Sequence, residues 1–329
     1  MSVTDRQDAY VPQGKQDYEG TLRTLSEASV EQCFNAFKDI DWDAPEFAVL
    51  AHDERWILPE TDLLGSHPWY LSLPKERQIE IGRHRLTAVT KTGSQFEQLL
   101  LLGGTQFLMR VANGNPEFRY FMHELTEETH HIQMFQEFTN RVCPEVSGAP
   151  DWLKRTIPLI AQLGTFFPAL FFAIILAGEE PIDHVQKDIM RHGGQHPLLD
   201  RIMSIHIAEE ARHIGFAHAW LEQHVPELDP IRKLVLGLLI PVAMRLGSDA
   251  IIIPSKKDRE IMGIPDDVVR DVWGRGEGAE KFRRDLFSDV RMLFDRLGLR
   301  GPLTRWSWRL LGIDGRPARF RAEPASAAS

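Results

Sequence analysis

The sequence predicts an all-α fold in which long helices form a bundle. Apolar residues recur at helical spacing over most of the chain, whereas the alternation of Val and Ile that is typical of strands is scarce. Several of the periodic segments are longer than the average globular helix, and long helices of this kind are typical of bundles. Prolines near the start of several segments support the predicted helix boundaries.

Taken in order, five long helices are predicted, over residues 74–109, 116–142, 152–193, 197–224 and 229–246. Residues 255–311 predict further helices joined by loops. Residues 1–20 and 315–329 are poor in core-forming side chains, so we interpret both as flexible tails. No linker is evident between these two tails, and the sequence therefore predicts a single helical domain over residues 21–314.

The composition is that of an ordinary globular protein and excludes some classes of function. Hydrophobic residues make up 43% of the 329-residue chain, charged residues 26%, and the formal net charge is −9. This acidic balance argues against a nucleic-acid partner. Cys33 and Cys143 form no zinc pattern, and the polar N-terminus lacks the apolar core of a signal peptide. We therefore expect a cytoplasmic location.

One apolar segment raises the question of a membrane. Residues 157–178 carry only Gln162 and Thr165 as polar side chains, over a length close to that needed to cross a bilayer. The segment contains two prolines and runs directly into Glu179 and Glu180. A helix buried on all sides inside a bundle has the same composition. We favour the buried helix and expect no membrane role.

Two Glu-x-x-His motifs, Glu128–His131 and Glu210–His213, indicate a metal site. Residues three apart lie on one face of a helix, so the carboxylate and the imidazole can bind the same metal. One motif alone is weak, because Glu and His are common on helices. Two motifs, each following a helix with a lone Glu, match the pattern of di-metal carboxylate bundles.

The spacing of the lone glutamates strengthens this prediction. Glu97 and Glu128 are 31 residues apart, and so are Glu179 and Glu210. Each half of the site therefore consists of a helix with one Glu, a turn, and a helix with Glu-x-x-His. Two such hairpins, paired about a pseudo-twofold axis, predict a ferritin-like four-helix bundle core with additional helices. His206 shares a face with Glu210 and would add a seventh ligand.

Some alternatives remain open at the level of the sequence. Glu127 and His130 have the same spacing as Glu128 and His131, but their helix face is more polar. Glu180 competes with Glu179 but breaks the equal spacing. A buried ion pair between Glu210 and Arg212 would explain that glutamate without a metal. Of the neighbouring acids, Glu124 and Glu209 are candidates to accept hydrogen bonds from ligand imidazoles, or to be solvated.

The run His206-Ile-Ala-Glu-Glu210-Ala-Arg-His213 resembles the arylamine N-oxygenase family, typified by p-aminobenzoate N-oxygenase. The similarity extends through His67–Gln78, the FEQLL segment around Glu97, the EETHH segment and Glu179–Ile182, and covers residues 60–225. The resemblance implies that one metal is held by Glu97, Glu128 and His131. It implies Glu179, His206 and His213 for the other, with Glu128 and Glu210 as candidate bridges.

The resemblance also implies the chemistry. Two iron ions per chain, with manganese as a substitute, would react with O₂ through a peroxo-diferric species and oxidise a small organic substrate, most often by N-oxygenation of an arylamine. It implies an electron donor, such as a ferredoxin or flavodoxin system, and a homodimer. Alternatives are a di-iron hydroxylase or desaturase that acts at carbon, and a non-catalytic iron-binding protein of ferritin-like fold.

The sequence departs from the family at the substrate. Aminobenzoate-oxidising members have an Arg five residues before the first Glu ligand, where it holds the substrate carboxylate. Here that position is Thr92, with Lys91 beside it. Neither side chain replaces a bidentate guanidinium. We therefore expect a substrate other than aminobenzoate.

Overall fold

The structure, a computed structural model, describes residues 18–274 and 276–316, and over these residues it is helical without strands. The predicted all-α class is confirmed. In chain order the α-helices are α1 Tyr18–Glu31, α2 Pro68–Leu71, α3 Lys75–Leu108, α4 Pro116–Val142, α5 Asp151–Ala161, α6 Leu163–Phe166, α7 Pro168–His192, α8 Pro197–His224, α9 Pro230–Ile252, α10 Lys256–Met262, α11 Asp266–Trp273, α12 Glu277–Leu286, α13 Ser288–Arg296 and α14 Arg305–Leu310.

The prediction of one helix over residues 152–193 was wrong. The chain forms α5, α6 and α7 there, and the main break lies at Phe167, whose φ of −149° and ψ of 71° are not helical. The cause is Pro168, which disfavours the α conformation in the residue before it and then starts α7. Helix α9 continues to Ile252, six residues beyond its predicted end.

Helices α3, α4, α7 and α8 form the core bundle, and neighbouring contacts give their directions. On α3, Gly93 lies beside Ile182 of α7 whereas Gly103 lies beside Phe171, so the two helices are antiparallel. Gly93 also lies beside Phe135 of α4, and Gly104 lies beside Phe121, so α4 runs antiparallel to α3 as well.

Because α4 and α7 both run against α3, they are parallel to each other. Residues 143–167, which include α5 and α6, form the long crossover that joins them and pack against α3. One long crossover in a four-helix core is the connectivity of ferritin-like folds. The structure thus confirms the bundle core with additional helices around it.

The remaining helices cover this bundle from the sides. Helix α1 packs on α4 and α8, α9 packs on α7, and α12 and α13 contact the C-terminal half of α7. Because α1 begins at Tyr18, residues 18–20 of the predicted tail are helical, whereas residues 1–17 and 317–329 lie outside the described residues. The single domain over residues 21–314 stays a prediction.

The described residues contain one helical stretch that is long and apolar enough to cross a membrane, and it is not the one that the sequence analysis weighed. Residues 157–178 are divided between α5, α6 and α7, and α7 is largely buried up to Asp183. The stretch that qualifies is Pro230–Met262, and half of its most apolar window is buried. Core helices of globular proteins also meet this criterion, so the membrane question stays a prediction.

Candidate metal centre

The seven predicted ligands converge between the four core helices. Each is at most 2% exposed: Glu97 on α3, Glu128 and His131 on α4, Glu179 on α7, and His206, Glu210 and His213 on α8. Their donor atoms form overlapping groups whose members lie within 4.8 Å of one another. The helical spacing explains this convergence, because residues three or four apart on α4 and α8 share the face that points into the bundle.

Glu128 and Glu210 lie at the middle of the cluster. His213 Nδ1 is 2.8 Å from Glu128 Oε1 and 3.3 Å from Glu210 Oε2. His131 Nδ1 is 3.2 Å from Glu128 Oε2. On the other side, His206 Nε2 is 3.7 Å from Glu210 Oε2. Each of these two carboxylates faces two imidazoles, which fits the bridging role that the resemblance implies for them.

The two lone glutamates complete the cluster on either side. Glu97 Oε1 lies 3.3 Å from His206 Nε2, and a donor group formed by Glu97, His131 and His206 surrounds that point. Glu179 forms a second group with His206 and Glu210. His206 belongs to both groups, so this third histidine makes the two halves of the site unequal.

Each ligand imidazole has a hydrogen-bond partner for the nitrogen that faces away from the cluster. His131 Nε2 is 2.9 Å from Glu209 Oε2, and His213 Nε2 is 2.8 Å from Glu127 Oε2. His206 Nδ1 is 2.9 Å from the amide oxygen of Gln186. When the outer nitrogen donates its proton, the inner nitrogen keeps a lone pair for a metal.

Buried atoms without hydrogen-bond partners show that this donor set fits two metal ions. Glu97 Oε2, Glu179 Oε2 and both oxygens of Glu210 have none. Glu128 Oε1 and His213 Nδ1 lie 2.8 Å apart, and the charges of Glu128 and Glu210 outweigh burial and raise the pKa of His213, so a metal bound there would displace a proton. Four carboxylates balance the charge of two divalent ions, and oxygen and imidazole donors suit iron or manganese.

The pKa shifts of the cluster also indicate a site for cations. Burial, together with Glu128 and Glu179, raises the pKa of Glu97, and burial together with Glu210 raises the pKa of Glu179. Carboxylates this close repel one another unless cations lie between them. Burial lowers the pKa of His206 to about 4, so this imidazole is neutral at physiological pH, as a metal ligand must be.

His131 shows what a metal would displace. Burial lowers the pKa of this imidazole, but the hydrogen bonds and charges of Glu128 and Glu209 outweigh burial and raise the pKa to about 9. The protonated imidazole is held between two carboxylates, and its Nδ1 proton, which faces Glu128, lies where a bound metal would. Metal binding at this site therefore releases protons.

A second group of charges surrounds the ligands on the side covered by α1. Arg212 donates to Glu127 Oε1 at 2.9 Å and lies 3.7 Å from Glu209 Oε1. The loop after α1 closes over this group, because Phe34 N donates to Glu209 at 2.8 Å and the carbonyl of Gln32 accepts from Arg212 at 3.0 Å. Both outer carboxylates are thus held in position by a buried guanidinium.

These contacts give the partners of the residues that the sequence left as alternatives. Arg212 pairs with Glu127 and Glu209 rather than with Glu210. Glu127 is buried, yet it serves His213 instead of forming a rival motif with His130. Glu180 pairs with His218.

The two acids proposed as imidazole partners have different surroundings. Glu209 accepts from His131, as the sequence suggested. Glu124 is also buried, but no hydrogen bond joins it to an imidazole in the part of the chain that the structure describes, and its Oε2 has no hydrogen-bond partner. Burial raises the pKa of Glu124.

The position of the missing arginine contains no substitute clamp. The Thr92 hydroxyl donates to Ala88 O at 2.9 Å within α3, and Lys91 bonds Gln136 of α4. Neither residue lines the cavity described below. A short aromatic acid thus lacks a cationic partner at this position.

The bundle differs on the two sides of the ligand cluster. Toward the C-terminal end of α3, aromatic rings fill the space, namely those of Phe107, Phe121, Phe172, Phe216 and Trp220. Toward the N-terminal end of α3, a cavity of about 820 Å³ begins beside Gly93, Phe135 and Ile182. Gln186 lines this cavity and also bonds His206, so the cavity reaches the ligand layer.

Sequence reasoning missed Gln186 and the roles of Glu127 and Arg212. Gln186 stands seven residues after Glu179, which places both on one face of α7, and this spacing was the available signal. For Glu127 and Arg212 the sequence contained no comparable signal, because their partners lie on other helices.

The fold and the site define a helical-bundle protein with a buried cluster of carboxylates and histidines that could hold a pair of metal ions. Comparison with protein families identifies it further. The family model described as p-aminobenzoate N-oxygenase AurF matches residues 15–298, more of the chain than the motifs of residues 60–225 indicated. The chain belongs to this family of di-iron N-oxygenases.

Individual relatives of the chain do not indicate a more specific function. The chain is 46% identical over 309 residues to uncharacterized proteins of Mycobacterium tuberculosis (strain H37Rv) and Mycobacterium bovis, covering 94% of this chain and 91% of each relative. No solved structure matches the chain.

Proposed function

We propose that this protein is an O₂-dependent di-iron oxygenase that oxidises a small organic substrate by N-oxygenation of an amine. The observation that carries the proposal is the convergence of seven buried carboxylates and imidazoles beside a large cavity, whose wall residue Gln186 bonds His206. Storage is disfavoured, because these carboxylates converge on one centre instead of lining a path for ions.

The residues of the chain have distinct roles in this proposal. Glu209, Glu127 and Gln186 orient the three imidazoles and fix their tautomers. Two bound irons supply the activation of O₂ and the transfer of oxygen to the substrate. The aromatic rings behind the centre exclude water, and the cavity holds the substrate against Gln186 and the neighbouring ligands.

The proposal also covers the electron donor, the oligomeric state, the cellular location and the metal. We include a reduced ferredoxin or flavodoxin as electron donor, a homodimer, a cytoplasmic location, and manganese as a substitute for iron. Sedimentation of the purified protein tests the dimer, and reduction assays with each donor test the electron source.

A single-turnover experiment tests the chemistry. The iron-loaded protein is reduced without oxygen, mixed with O₂ and a panel of arylamines, and the products are analysed by mass spectrometry with ¹⁸O₂. The proposal predicts labelled hydroxylamine or nitroso products. Oxygen insertion at carbon, or an alkene product, would assign the hydroxylase or desaturase alternative. Two bound irons without any turnover would favour iron binding alone.

A further inference from the structure

The cavity beside the metal centre is large for a single aromatic ring. At about 820 Å³ it lies in the range of pockets that enclose drug-sized ligands. It extends from Gly93 toward the N-terminal half of α3, and apolar side chains such as Val89 and Ile252 line its wall. A ligand that fills it has a long apolar body.

Arg85 of α3 lines the same cavity three turns away from the metal ligand on that helix. The side chain is 5% exposed, and its Nε and Nη1 atoms have no hydrogen-bond partner. Its guanidinium lies over the ring of Trp273, 5.5 Å from the ring centre. A buried cation whose N–H groups are unpaired is costly, unless an anion binds there.

The nearest acid does not satisfy this arginine. Asp62 Oδ2 lies 3.6 Å from Arg85 Nε, which is too long for a hydrogen bond. The other oxygen of Asp62 accepts from the backbone amides of Leu64 and Gly65, so the carboxylate is held by its own loop. Asp62 thus reduces the net positive charge around Arg85, but Nε and Nη1 of Arg85 remain without a hydrogen-bond partner.

The other cations around the cavity are less suited to hold an anion. Arg284 is 40% exposed and lies near Glu280, and Lys281 and Arg316 are exposed as well. Arg291 is buried, but its guanidinium donates to the carbonyl oxygens of Ile313 and Arg316. Solvent weakens the attraction of the exposed side chains for an anion, and the guanidinium of Arg291 is already bonded.

From these observations we propose that the cavity binds substrates with an apolar body and a terminal carboxylate or comparable anion, and that Arg85 binds this anion. The binding of the anion stands without the proposed function. The placement of the opposite end of the substrate at the metal centre rests on it.

The position of Arg85 determines the length of the substrate. Arg85 and Glu97 are 12 residues apart on one helix, which corresponds to about 18 Å along its axis. Thr92 is only five residues, or about 8 Å, from Glu97. An acid held by Arg85 must therefore be much longer than a benzoate to reach the metal centre.

A binding series tests this inference without requiring turnover. Calorimetry on the iron-loaded protein compares p-aminobenzoate, aminophenylbutanoate and aminophenyloctanoate, each with its uncharged methyl ester. We expect aminophenyloctanoate to bind about tenfold or more tightly than its ester, as for one charge-assisted interaction. The shorter acids should show a smaller preference over their esters.

Variants assign the preference to a residue. Arg85→Gln should abolish the preference for the long acid, and Arg110→Gln, on an exposed residue just past the opposite end of α3, should leave it unchanged. Asp62→Asn keeps the oxygen that accepts from the loop amides and removes the competing charge, so it should tighten binding of the acid. If Arg85→Gln does not fold, the Asp62→Asn result decides.

Four results would overturn the inference. They are equal binding of the long acid and its ester, a preference that survives Arg85→Gln, a preference that is lost in Arg284→Gln instead, and unchanged binding of the acid to Asp62→Asn. Failure of the oxygenase proposal has a different signature, because the acid preference would persist while the single-turnover experiment yielded no product.

Discussion

The two ends of the bundle, on either side of the ligand cluster, are packed differently although the same four helices form both. Beyond the ligands toward the C-terminal end of α3, Phe172 packs against Phe107, Phe216 and Trp220, with ring centres 4.6 to 5.6 Å apart. Toward the other end, the helices leave a cavity, and buried polar contacts hold its surroundings together. The comparison indicates that the cluster of carboxylates and imidazoles borders a large cavity on one side only.

The polar contacts of the open end join separate parts of the chain. His84 of α3 lies 2.9 Å from Asp258 of α10, and the same carboxylate accepts from Ser147 N at 2.9 Å. Cys143 lies on the other side of His84, 3.4 Å from its Nδ1. Stability at the closed end thus depends on aromatic packing, whereas at the open end it depends on hydrogen bonds that respond to pH.

The largest expected effect is on the closed end. Phe172 is 1% exposed and contacts the surrounding rings, so Phe172→Ala leaves a cavity and should lower the free energy of unfolding by about 3 to 5 kcal/mol. Chemical denaturation measures the loss. Phe118→Ala, at a 47% exposed position on α4, is the matched control and should change it by less than about 0.5 kcal/mol. A similar small loss in both variants would remove the distinction between the ends.

A smaller effect is expected for the polar link at the open end. Asp258→Asn should lower the free energy of unfolding at pH 7 by about 1 to 3 kcal/mol, because it weakens a fully buried hydrogen-bond network. Glu260→Gln, at an exposed position on the same helix, is the control.

This link should also depend on pH in a defined direction. Burial alone would raise the pKa of Asp258, but hydrogen bonds from His84, Ser255 and Ser147 outweigh burial and lower it below its ordinary value of 3.8. Its stabilisation is therefore complete above that value and is lost as the pH falls through the lowered pKa. The difference between wild type and Asp258→Asn should shrink below pH 3.8. A constant difference would contradict the assignment.

The smallest effect, at Gly93, comes from a comparison of one substitution at two glycines of α3 that lie on either side of Glu97. A Cβ at Gly103 would lie 2.2 Å from Phe171, so Gly103→Ala should destabilise the protein by about 1 to 3 kcal/mol. At Gly93 the nearest atoms, on Phe135 and Ile182, are 3.6 to 3.7 Å away. Gly93→Ala should therefore stabilise the helix by about 0.5 to 1 kcal/mol, yet raise KM by narrowing the cavity. Thermal unfolding and steady-state kinetics test both, and the same sign of stability change in the two variants would refute the contrast.

How far the sequence could predict this molecule depends on how local each feature is. Glu128 with His131, and Glu210 with His213, are set by helical periodicity within one element, so the sequence indicated them directly. Gln186 was accessible only in part, since its spacing from Glu179 said nothing of His206. The break at Phe167 was missed because the apolar pattern continues across it.

Features that depend on packing between helices could not be predicted. Glu127 looked like part of a rival motif, and only the approach of α8 makes it the partner of His213. The sequence did not single out Arg85, because its proposed role depends on the cavity and on its distance of 3.6 Å from Asp62.

The central claim, that seven residues hold two metal ions at the junction of these two ends, is tested most directly by metal content. Iron per chain is measured after anaerobic reconstitution, together with the Mössbauer spectrum, for wild type and His206→Ala. The account predicts two irons per wild-type chain in unequal environments, with His206→Ala altering one iron more than the other. Less than one iron per chain, or spectra that His206→Ala leaves unchanged, would contradict it.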